Sequence, residues 1–489
     1  MVEPHQPVIN TSSTPEPQTL PARAWQQLSR TMTGPLHHPG DERFEELARP
    51  ATNRYAAPRP QAIARCATPT DVIQVIDFAQ RHELETAVRG AGHSFTDHSS
   101  TAGLLIETGL MNAVVTHGDL ATIGAGARLA EIYGALHNCR ATIPAGCGPT
   151  VGIAGLALGG GLGVLGRTYG LTCDSLAAAQ IVLADGTLIT CDEASEPDLY
   201  WALRGAGAGN FGVVTALTFR TISEPYAVAF HLSWPGQSAS AALIAWLEWA
   251  PQTPDAMAAS LVVRAPADPS VRPQANLIGA MIADGPVVAG ALNHFEQLVG
   301  DAERRRQFPP APISDVKARL ADVGAEVGDG TSTAVEHSAS EFYGEPLPAS
   351  IASSLADALT TDRIPGQARE LALTPMGGAY NRVSADATAF VHRGDQFLLE
   401  WTATSDPAQP GASHHAASRW LGDIRTLRDG HGTGRTYQNF PDPELAEPLS
   451  AYYGENLPRL RHIKDRYDPG NLFHHRQSIP PTTQRHATG

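Results

Sequence analysis

The stretch from Arg89 to Asp174 constrains the fold of this 489-residue chain more than any other feature. It contains short glycine-rich segments, which bracket one histidine, His93, and one cysteine, Cys147. Glycine lets the backbone approach a bulky ligand closely and leaves N–H groups with no side chain in the way. Successive N–H groups pointing into a concavity suit a pyrophosphate. The stretch is therefore predicted to cradle a phosphate-bearing cofactor.

Four motifs occur in one order along the chain: Arg89–Ser94 (RGAGHS), Cys147–Gly152 with the glycine run behind it, Tyr437–Phe440 (YQNF) and Tyr467–Phe473 (YDPGNLF). Each is weak alone. Together they resemble the berberine bridge enzyme-like flavoproteins of the vanillyl-alcohol oxidase and p-cresol methylhydroxylase superfamily, over about residues 56 to 481.

The resemblance implies an FAD that is bonded twice to the protein, with His93 on the 8α-methyl carbon and Cys147 on ring carbon 6. No metal site is expected, because the adjacent histidine pairs of the chain lack ligand spacing. The resemblance implies cofactor contacts for a larger set: Arg89, Gly90, Ala91, Gly92, His93, Ser94, Cys147, Val151, Gly152, Gly155, Gly159, Gly160, Gly161, Gly163, Asp174, Gly212, Val213, Val214, Asn471 and Phe473.

His93 and Cys147 also have ordinary interpretations, as a hydrogen-bonded loop histidine and a buried inert thiol. A neutral imidazole nitrogen is a nucleophile that can attack the electrophilic 8α position. Cys147 needs thiolate character for its bond. Clustered backbone N–H groups nearby are expected to lower the pKa of this thiol.

Glu400 and Tyr437 are the predicted catalytic residues. In the strand FLLEWTA, alternation puts Phe397, Leu399 and Trp401 on one apolar face and Glu400 on the other. The resemblance implies a Glu or Gln that faces the flavin at this strand position; the alternative is a solvent-facing Glu. Desolvation there would raise the pKa of Glu400, as suits a base near neutral pH.

Tyr437 matches the first Tyr of the family's Tyr-x-Asn-Tyr motif, and Phe440 replaces the second, so no hydroxyl role transfers to Phe440. Tyr437 is interpreted as a partner of Glu400, a hydrogen-bond donor to substrate or itself the base; the alternative is a rim aromatic. Both residues are expected to converge on one side of the flavin ring.

Gly207–Gly212 matches the dinucleotide fingerprint G-x-G-x-x-G. That fingerprint needs a strand before it and a helix after it. Here a helix-like segment precedes and a β-branched strand follows, which disfavours a Rossmann fold.

Composition excludes several classes of function. A net charge of −15 disfavours a nucleic-acid partner, and no run of 18 apolar residues predicts a membrane span. A polar, Pro-rich beginning without an apolar signal core makes the cytoplasm the expected location. Five cysteines do not form a disulfide framework. Lysine occurs only at Lys317 and Lys464, which by itself indicates little about chemistry.

The expected fold class is α+β, with a two-part FAD-binding domain and a substrate domain built on an antiparallel sheet flanked by helices. The expected boundaries are an N-terminal arm, mobile or loosely docked, over residues 1–55; FAD domain over 56–224; substrate domain over 225–435; and a C-terminal segment returning to the FAD domain over 436–489. Asp185-Gly186 predicts a hairpin turn.

Pattern reading also predicts individual elements. Thr70-Asp71 is expected to cap a helix that buries Val72, Val75 and Ile76. Residues 128–138 are expected to form a helix with Ala130, Tyr133, Gly134 and His137 on one face. Strands are expected at 85–88, 104–106, 213–219, 227–234, 277–282, 371–383 and 389–404, and helices at 198–203, 239–249, 286–299 and 413–427.

The predicted function is an FAD-dependent oxidase acting on an alcohol, hemiacetal or phenol-type small molecule, with a bacterial secondary metabolite favoured. Substrate hydride would pass to flavin N5, and O₂ would accept the electrons and yield H₂O₂. The alternatives are an oligosaccharide oxidase and an oxidative or non-redox cyclase on the same scaffold. No nucleic-acid or membrane partner is expected, and the chain is predicted to be a monomer or a homodimer.

Overall fold

The first sheet of the computed structural model lies near the N-terminus of the described residues, which are 20–328 without 53 and 56, 334–408 and 410–482. Its strand order is β1-β2-β4-β3, with β1 antiparallel to β2 and the other pairs parallel. The strands are β1 Leu36–His37, β2 Ala62–Arg65, β3 Thr86–Arg89 and β4 Leu104–Glu107.

The second sheet is antiparallel and has the order β5-β6-β10-β8-β9, while β7 and β11 form a separate pair. The Asp185-Gly186 hairpin is confirmed, because it joins β8 to β9. The strands are β5 Val114–His117, β6 Leu120–Gly124, β7 Ala141–Thr142, β8 Leu176–Val182, β9 Leu188–Cys191, β10 Val213–Arg220 and β11 Ile222–Ser223.

The third sheet, called the large sheet below, consists of β12 to β19 and is antiparallel throughout. Its order is β15-β12-β14-β13-β18-β19-β17, with β16 beside β12. The strands are β12 Tyr226–Pro235, β13 Met257–Ala265, β14 Gln274–Met281, β15 Arg304–Gln307, β16 Ala311–Pro312, β17 Val335–Tyr343, β18 Arg369–Pro375 and β19 Phe397–Ser405.

Fifteen α-helices connect and cover these sheets within the described residues. They are α1 Ala22–Thr31, α2 Phe44–Ala48, α3 Pro69–Arg81, α4 Leu129–His137, α5 Ile153–Leu158, α6 Gly166–Tyr169, α7 Pro197–Leu203, α8 Ala239–Trp249, α9 Gly285–Val299, α10 Ile313–Val327, α11 Ala349–Ala358, α12 Ala379–Arg382, α13 Pro410–Leu427, α14 Pro448–Tyr453 and α15 Leu457–Tyr467. The α+β fold class is confirmed.

The large sheet has two chemically different faces. Helices α8, α9, α11 and α13 pack on one face, where Phe397, Leu399 and Trp401 of β19 join their apolar core, as alternation predicts. The opposite face turns toward the first two sheets, and there Leu398 packs with Tyr437 in a smaller cluster. One side of β19 therefore serves the core and the other serves the interface between the sheets.

Two predicted strands are too long. Residues 371–383 form a strand only to Pro375, because Gly377 and Gly378 take φ values of +89° and +56° and turn the chain into α12. Residues 389–396 are not a strand of the large sheet, because their backbone bonds elsewhere. The N–H groups of Ala389 and Phe390 donate to Trp201 and Arg204, at 3.3 and 3.2 Å.

The N-terminal residues are docked, so the prediction of a mobile or loosely docked arm is wrong for residues 20–50. Trp25 and Leu28 of α1 are buried against α3, with the Trp25 and Phe78 ring centroids 5.0 Å apart. Residues 1–19 lie outside the described part. The proline-rich composition predicted an arm, but two apolar side chains on one face of α1 pack this helix against α3.

The N-cap of helix α3 lies two residues before the predicted Thr70. Its N-cap is Thr68, whose hydroxyl accepts the Asp71 N–H at 3.2 Å, and Asp71 completes a capping box. The Asp71 carboxylate also accepts N–H groups from Thr33 and Gly34, at 2.7 and 3.1 Å. One side chain thus caps the helix and holds the end of the N-terminal segment.

The buried stripe of α4 differs from the predicted one. Leu129, Ile132, Tyr133 and Leu136 are buried, whereas Ala130, Gly134 and His137 are not. The four buried side chains follow the i, i+3, i+4, i+7 spacing. The prediction missed the face because it gave small residues the same weight as large apolar ones.

The G-x-G-x-x-G match is not a Rossmann site, as predicted. Helix α7 precedes it and β10 follows it, the reverse of the arrangement that the fingerprint requires.

Among the helices of the described residues, none combines the length and the apolar composition that a membrane span needs.

Asp71→Ala is expected to lower the free energy of unfolding by about 2–4 kcal/mol, because it leaves charge-assisted N–H donors without an acceptor. Although burial opposes the charge, backbone N–H groups hold the pKa of Asp71 below its usual value. The contribution is therefore present above the ordinary carboxyl range and lost as the pH falls through the lowered pKa. Denaturant unfolding at pH 7 and at about pH 2, below the ordinary carboxyl pKa, measures it.

Asp77→Ala is the matched control, since Asp77 is exposed on the same helix and pairs only with Arg81. Its expected cost is below about 1 kcal/mol. Equal losses in the two variants would contradict the role given to Asp71.

Candidate active site

The His93 loop begins where β3 ends at Arg89. Gly92 has φ +76°, a conformation that suits glycine, and a Cβ there would lie 3.1 Å from the Ala51 nitrogen. The backbone N–H groups of residues 91–94 have no acceptor among the residues that the structure describes. Successive unpaired N–H groups beside a left-handed residue form an anion-binding concavity. The loop therefore fits the cofactor phosphate that the sequence predicts.

The His93 loop and the Cys147 loop touch. The His93 Nε2 lies 3.0 Å from the Thr150 hydroxyl. A Cβ on Gly152 would come within 2.9 Å of the Ala91 Cβ, so this close approach requires glycine. The two residues that were predicted to bond one ring therefore come from adjoining loops.

His93 is half-buried, and its surroundings favour the neutral form of its imidazole. Burial lowers its pKa, and the positive charges of Arg128 and Arg54 lower it further. An unprotonated ring nitrogen is the form that acts as a nucleophile. The electrostatics of the loop thus favour the chemistry predicted for His93.

The Cys147 thiol behaves differently from the prediction, since its pKa is raised. Burial is the main cause, and the Lys317 ammonium and the Val164 N–H oppose it. Clustered N–H groups alone do not activate this thiol. The remaining cysteines are free: Cys66, Cys173 and Cys191 are buried and Cys139 is exposed.

The glycine turn, residues 159–163, is packed against protein side chains. A Cβ on Gly159 would overlap the Asn439 side chain, and one on Gly160 would meet the Phe390 ring at 2.7 Å. The same holds for Gly161 against Thr172 and Gly163 against the Ala145 carbonyl. These α-carbons were predicted to face the cofactor, but their glycines are required by close packing of the chain on itself.

Gly155 behaves as a ligand-facing residue would, because its α-carbon in α5 faces open space. Val151 lies at the mouth of the Cys147 loop, where its N–H donates to the Gly148 carbonyl at 3.2 Å.

Four other predicted cofactor residues have side chains or α-carbons in the protein interior. A Cβ on Gly212 would meet the Val182 carbonyl at 2.5 Å, and Val213, Val214 and Phe473 are buried. Their backbones are what they can offer to a cofactor. Asn471 is half-buried and lies in a turn at φ +52°.

Arg89 and Asp174 have protein partners in place of a cofactor. The Arg89 guanidinium donates to the carbonyls of residues 47, 48 and 99 and to the Ser100 hydroxyl, at 2.8–3.0 Å. Asp174 accepts two bonds from Arg393, at 2.6 and 2.9 Å. Both residues therefore position loops, and Arg393 was missed because only its partner lies in a recognisable motif.

Glu400 lies half-buried on the interface side of the large sheet. Burial raises its pKa to about 7; Arg54 lowers it, while the like charges of Glu370 and Glu336 raise it further. Across the ladder it faces Ser340, whose hydroxyl has no hydrogen-bond partner among the described residues. A carboxylate poised near neutral pH beside an unpaired hydroxyl can take up a substrate proton.

Arg54 links Glu400 to the His93 loop, and sequence reasoning missed it. Its guanidinium pairs with Glu336 at 3.0 Å and donates to Ser338, next to Glu400. The same guanidinium carbon lies 3.5 Å from the centroid of Phe95, two residues after His93. The polar alternation of Glu336 and Ser338 along β17 was the signal that could have identified this face.

Tyr437 is buried and its hydroxyl oxygen accepts two bonds, from the Gly161 N–H at 3.0 Å and from Asn439 Nδ2 at 2.9 Å. Burial raises its pKa to about 12. Its hydroxyl proton has no acceptor among the described residues. These contacts favour a hydrogen-bond donor over a base. Phe440 stacks on Phe95, with ring centroids 4.7 Å apart.

Glu400 and Tyr437 share one side of the sheet without touching. Tyr437 packs with Leu398, which precedes Glu400 by two residues on the same face, a spacing of about 7 Å along a strand. No hydrogen bond joins the two side chains in the described part of the chain. In the same part, no three His, Cys, Asp or Glu side chains are grouped as metal ligands would be.

Comparison with known proteins gives consistent matches. Residues 60–192 match the FAD binding domain family, and residues 436–480 match the family described as berberine and berberine like. The FAD-linked oxidoreductase YgaK of Bacillus subtilis is 31% identical over 472 residues, covering 92% of this chain and 97% of YgaK. Chitooligosaccharide oxidase of Gibberella zeae is 29% identical, covering 86% of this chain and 87% of its own.

A solved structure shows the same architecture. BBE-like 1 of Physcomitrella patens superposes with a TM-score of 0.83 at 26% identity, covering 94% of this chain and all of its own.

Asp174→Asn is expected to lower the free energy of unfolding by about 3–5 kcal/mol, because it leaves the buried Arg393 guanidinium without its counter-charge. Adding Arg393→Met should recover part of the loss, since the unpaired charge is then gone. Denaturant unfolding of the two single variants and the double variant measures the coupling.

Arg382→Met is the control, as it breaks an exposed pair with Asp255 nearby. It should cost less than about 1 kcal/mol. Additive losses for Asp174→Asn and Arg393→Met would show that the pair is not coupled.

Proposed function

Because this chain belongs to the berberine bridge enzyme-like FAD-linked oxidases, we propose that it holds FAD by two covalent bonds, from His93 and Cys147, and oxidises a small alcohol, hemiacetal or phenol. When bound, FAD would accept a hydride at N5 and pass the electrons to O₂, giving H₂O₂. The residues present fit the group, since two adjoining loops offer unpaired N–H groups, a neutral imidazole and a thiol.

The observation that carries the proposal is the position of Glu400. It lies on the face of the large sheet that turns toward the His93 loop. Arg54 contacts this face through Glu336 and Ser338 and the loop through Phe95. Its pKa of about 7 lets it exist as a carboxylate at neutral pH and still receive a proton. Glu400 is therefore the proposed base, which removes the hydroxyl proton as the neighbouring C–H gives up its hydride.

Tyr437 is proposed to orient the substrate. Two N–H donors fix its oxygen, so its own proton is free to donate to a substrate oxygen. The surrounding rings of Phe342, Phe390 and Phe440 exclude water from this side. A dry wall strengthens the hydrogen bond and limits proton exchange with solvent.

An oligosaccharide substrate is the second candidate, and the polar row beside Glu400 favours it. Glu336 and Ser338 on β17, Thr402 on β19 and Glu370 on β18 lie on the same face of neighbouring strands. Such a row offers repeated donors and acceptors to a hydroxyl-rich chain. The relative from Gibberella zeae is named a chitooligosaccharide oxidase.

Flavin is expected to remain attached after denaturation. Intact-mass measurement should give the protein plus one FAD, and His93→Ala or Cys147→Ala alone should keep the flavin through the other bond. Only the double variant should release all of it. Complete release from the unmodified protein by acid precipitation would exclude covalent attachment, and Cys139→Ala, at an exposed cysteine, is the matched control.

Glu400→Gln is expected to keep the flavin and the fold but to slow anaerobic flavin reduction by roughly 10²-fold or more. In the unmodified protein the reduction rate should rise with pH through about 7, because the carboxylate is the active form above its pKa. The Gln variant should lose this step. Stopped-flow reduction with a panel of alcohols, phenols and oligosaccharides measures both.

Folding supplies an independent check on the same residue. A raised carboxyl pKa means that the folded state binds the proton more tightly, so its contribution is lost as pH rises from the ordinary carboxyl range through about 7. Glu400→Gln should therefore gain stability relative to the unmodified protein over that window.

Tyr437→Phe should weaken substrate binding and leave the pH step of the flavin reduction rate in place. An unchanged reduction rate in Glu400→Gln would refute the assignment.

A further inference from the structure

Both lysines of this chain are buried. Of its 35 lysine and arginine residues, only Lys317 and Lys464 are lysine, and their exposed fractions are 1% and 0%. Exposed cationic positions are all arginine. Because the chain otherwise uses arginine, a buried lysine marks a place where a compact ammonium is required.

Lys464 has a complete structural explanation. Its Nζ donates to the Asp468 carboxylate and to the carbonyls of Asn210 and Phe473, each at 2.6 Å. Three donors thus meet three acceptors, one of them charged. The residue ties the C-terminal segment to the core.

The Lys317 ammonium does not have three hydrogen-bond acceptors in the part of the chain that the structure describes. It projects from α10 and donates to the Ile143 carbonyl at 3.1 Å, and its Nζ lies 3.8 Å from the centroid of the Tyr133 ring. No carboxylate pairs with it in the described part of the chain. The nearest acid, Glu224, is bonded to His137 at 2.8 Å.

Cys147 completes the surroundings of Lys317. The Tyr133 hydroxyl donates to the Gly146 carbonyl at 2.5 Å, which fixes the residue before the cysteine. Cys147 packs against the cluster that contains Val316 and Leu320 of α10, on either side of Lys317 in the sequence. At this position the ammonium charge of Lys317 lowers the pKa of the thiol. Helix α10 comes from the part of the chain that forms the large sheet, so the cation reaches this loop across the interface.

We propose that Lys317 is the positioning residue of Cys147. Lys317 takes the thiol proton and stabilises the thiolate charge, so that the sulfur can bond the flavin. This inference rests on the proposed covalent FAD. Burial lowers the pKa of Lys317 to about 7, so its neutral amine is available as a proton acceptor near neutral pH. The ammonium that forms lowers the pKa of the Cys147 thiol, against the burial that raises it. Arginine could not accept that proton.

The covalent step balances with O₂ as oxidant. The lone pair of the Cys147 sulfur forms the bond to ring carbon 6, and the hydrogen of that carbon leaves as a proton. The two electrons of the broken C–H bond stay in the ring system. O₂ then takes two electrons from the ring, together with two protons, and becomes H₂O₂. Lys317 accounts for the thiol proton that must leave before sulfur attacks.

The test uses the full-length His93→Ala protein, in which Cys147 alone can bond the flavin. Incubated with FAD in air at pH 7, it should become covalently flavinylated, as read by intact mass after denaturation. Adding Lys317→Met should slow this at least about tenfold, the effect of one pKa unit on the thiolate fraction. Lys317→Gln keeps a donor for Ile143 and should be equally slow. Arg319→Met removes a cation from the same helix that lies over Phe308 and should not change the rate.

Raising the pH separates a proton role from a structural one. At pH 9.5 the Lys317 variants should approach the His93→Ala rate, because hydroxide then forms the thiolate. Slow flavinylation at both pH values, or an unchanged rate at pH 7, would overturn the inference and leave the Cys147 bond standing. Absence of covalent flavin in His93→Ala itself would remove the bond and the inference together.

Discussion

The close contact between the glycine turn and the second half of the chain is the constraint on which the rest of the structure depends. Gly159 and Gly160 lie against Asn439 and Phe390 at distances that allow no Cβ. The same turn donates N–H groups to the hydroxyls of Tyr437 and Tyr380, at 3.0 and 3.1 Å. Side chains from the segment between β18 and β19 and from the C-terminal segment are thereby fixed relative to the His93 and Cys147 loops.

Charge is concentrated at this interface. Arg393 with Asp174, Arg54 with Glu336 and Lys317 with Cys147 each join a residue of one side to a residue of the other. A buried charge is costly unless it is paired, so the buried Arg393–Asp174 pair allows only a narrow range of relative positions for the two sides. The contacts that hold the halves together thus also fix the positions of the proposed base and of the two residues proposed to bond the flavin.

Sequence predicted the family, the fold class and the side of β19 on which Glu400 lies, because motif order and period-two alternation are local in the chain. It did not predict Arg54, Arg393 or Lys317. Their partners are 282, 219 and 170 residues away in sequence, and no local pattern encodes such pairing. The close packing of Gly159–Gly163 was not predicted for a related reason, since a glycine required by a ligand and one required by a distant side chain have the same signature.

The burial of both lysines has a practical consequence. Reagents that acylate amines, and lysine-specific cross-linkers, find no exposed side-chain amine on this protein, because its surface cations are guanidinium groups. Lysine acylation would therefore report local opening around α10 or α15.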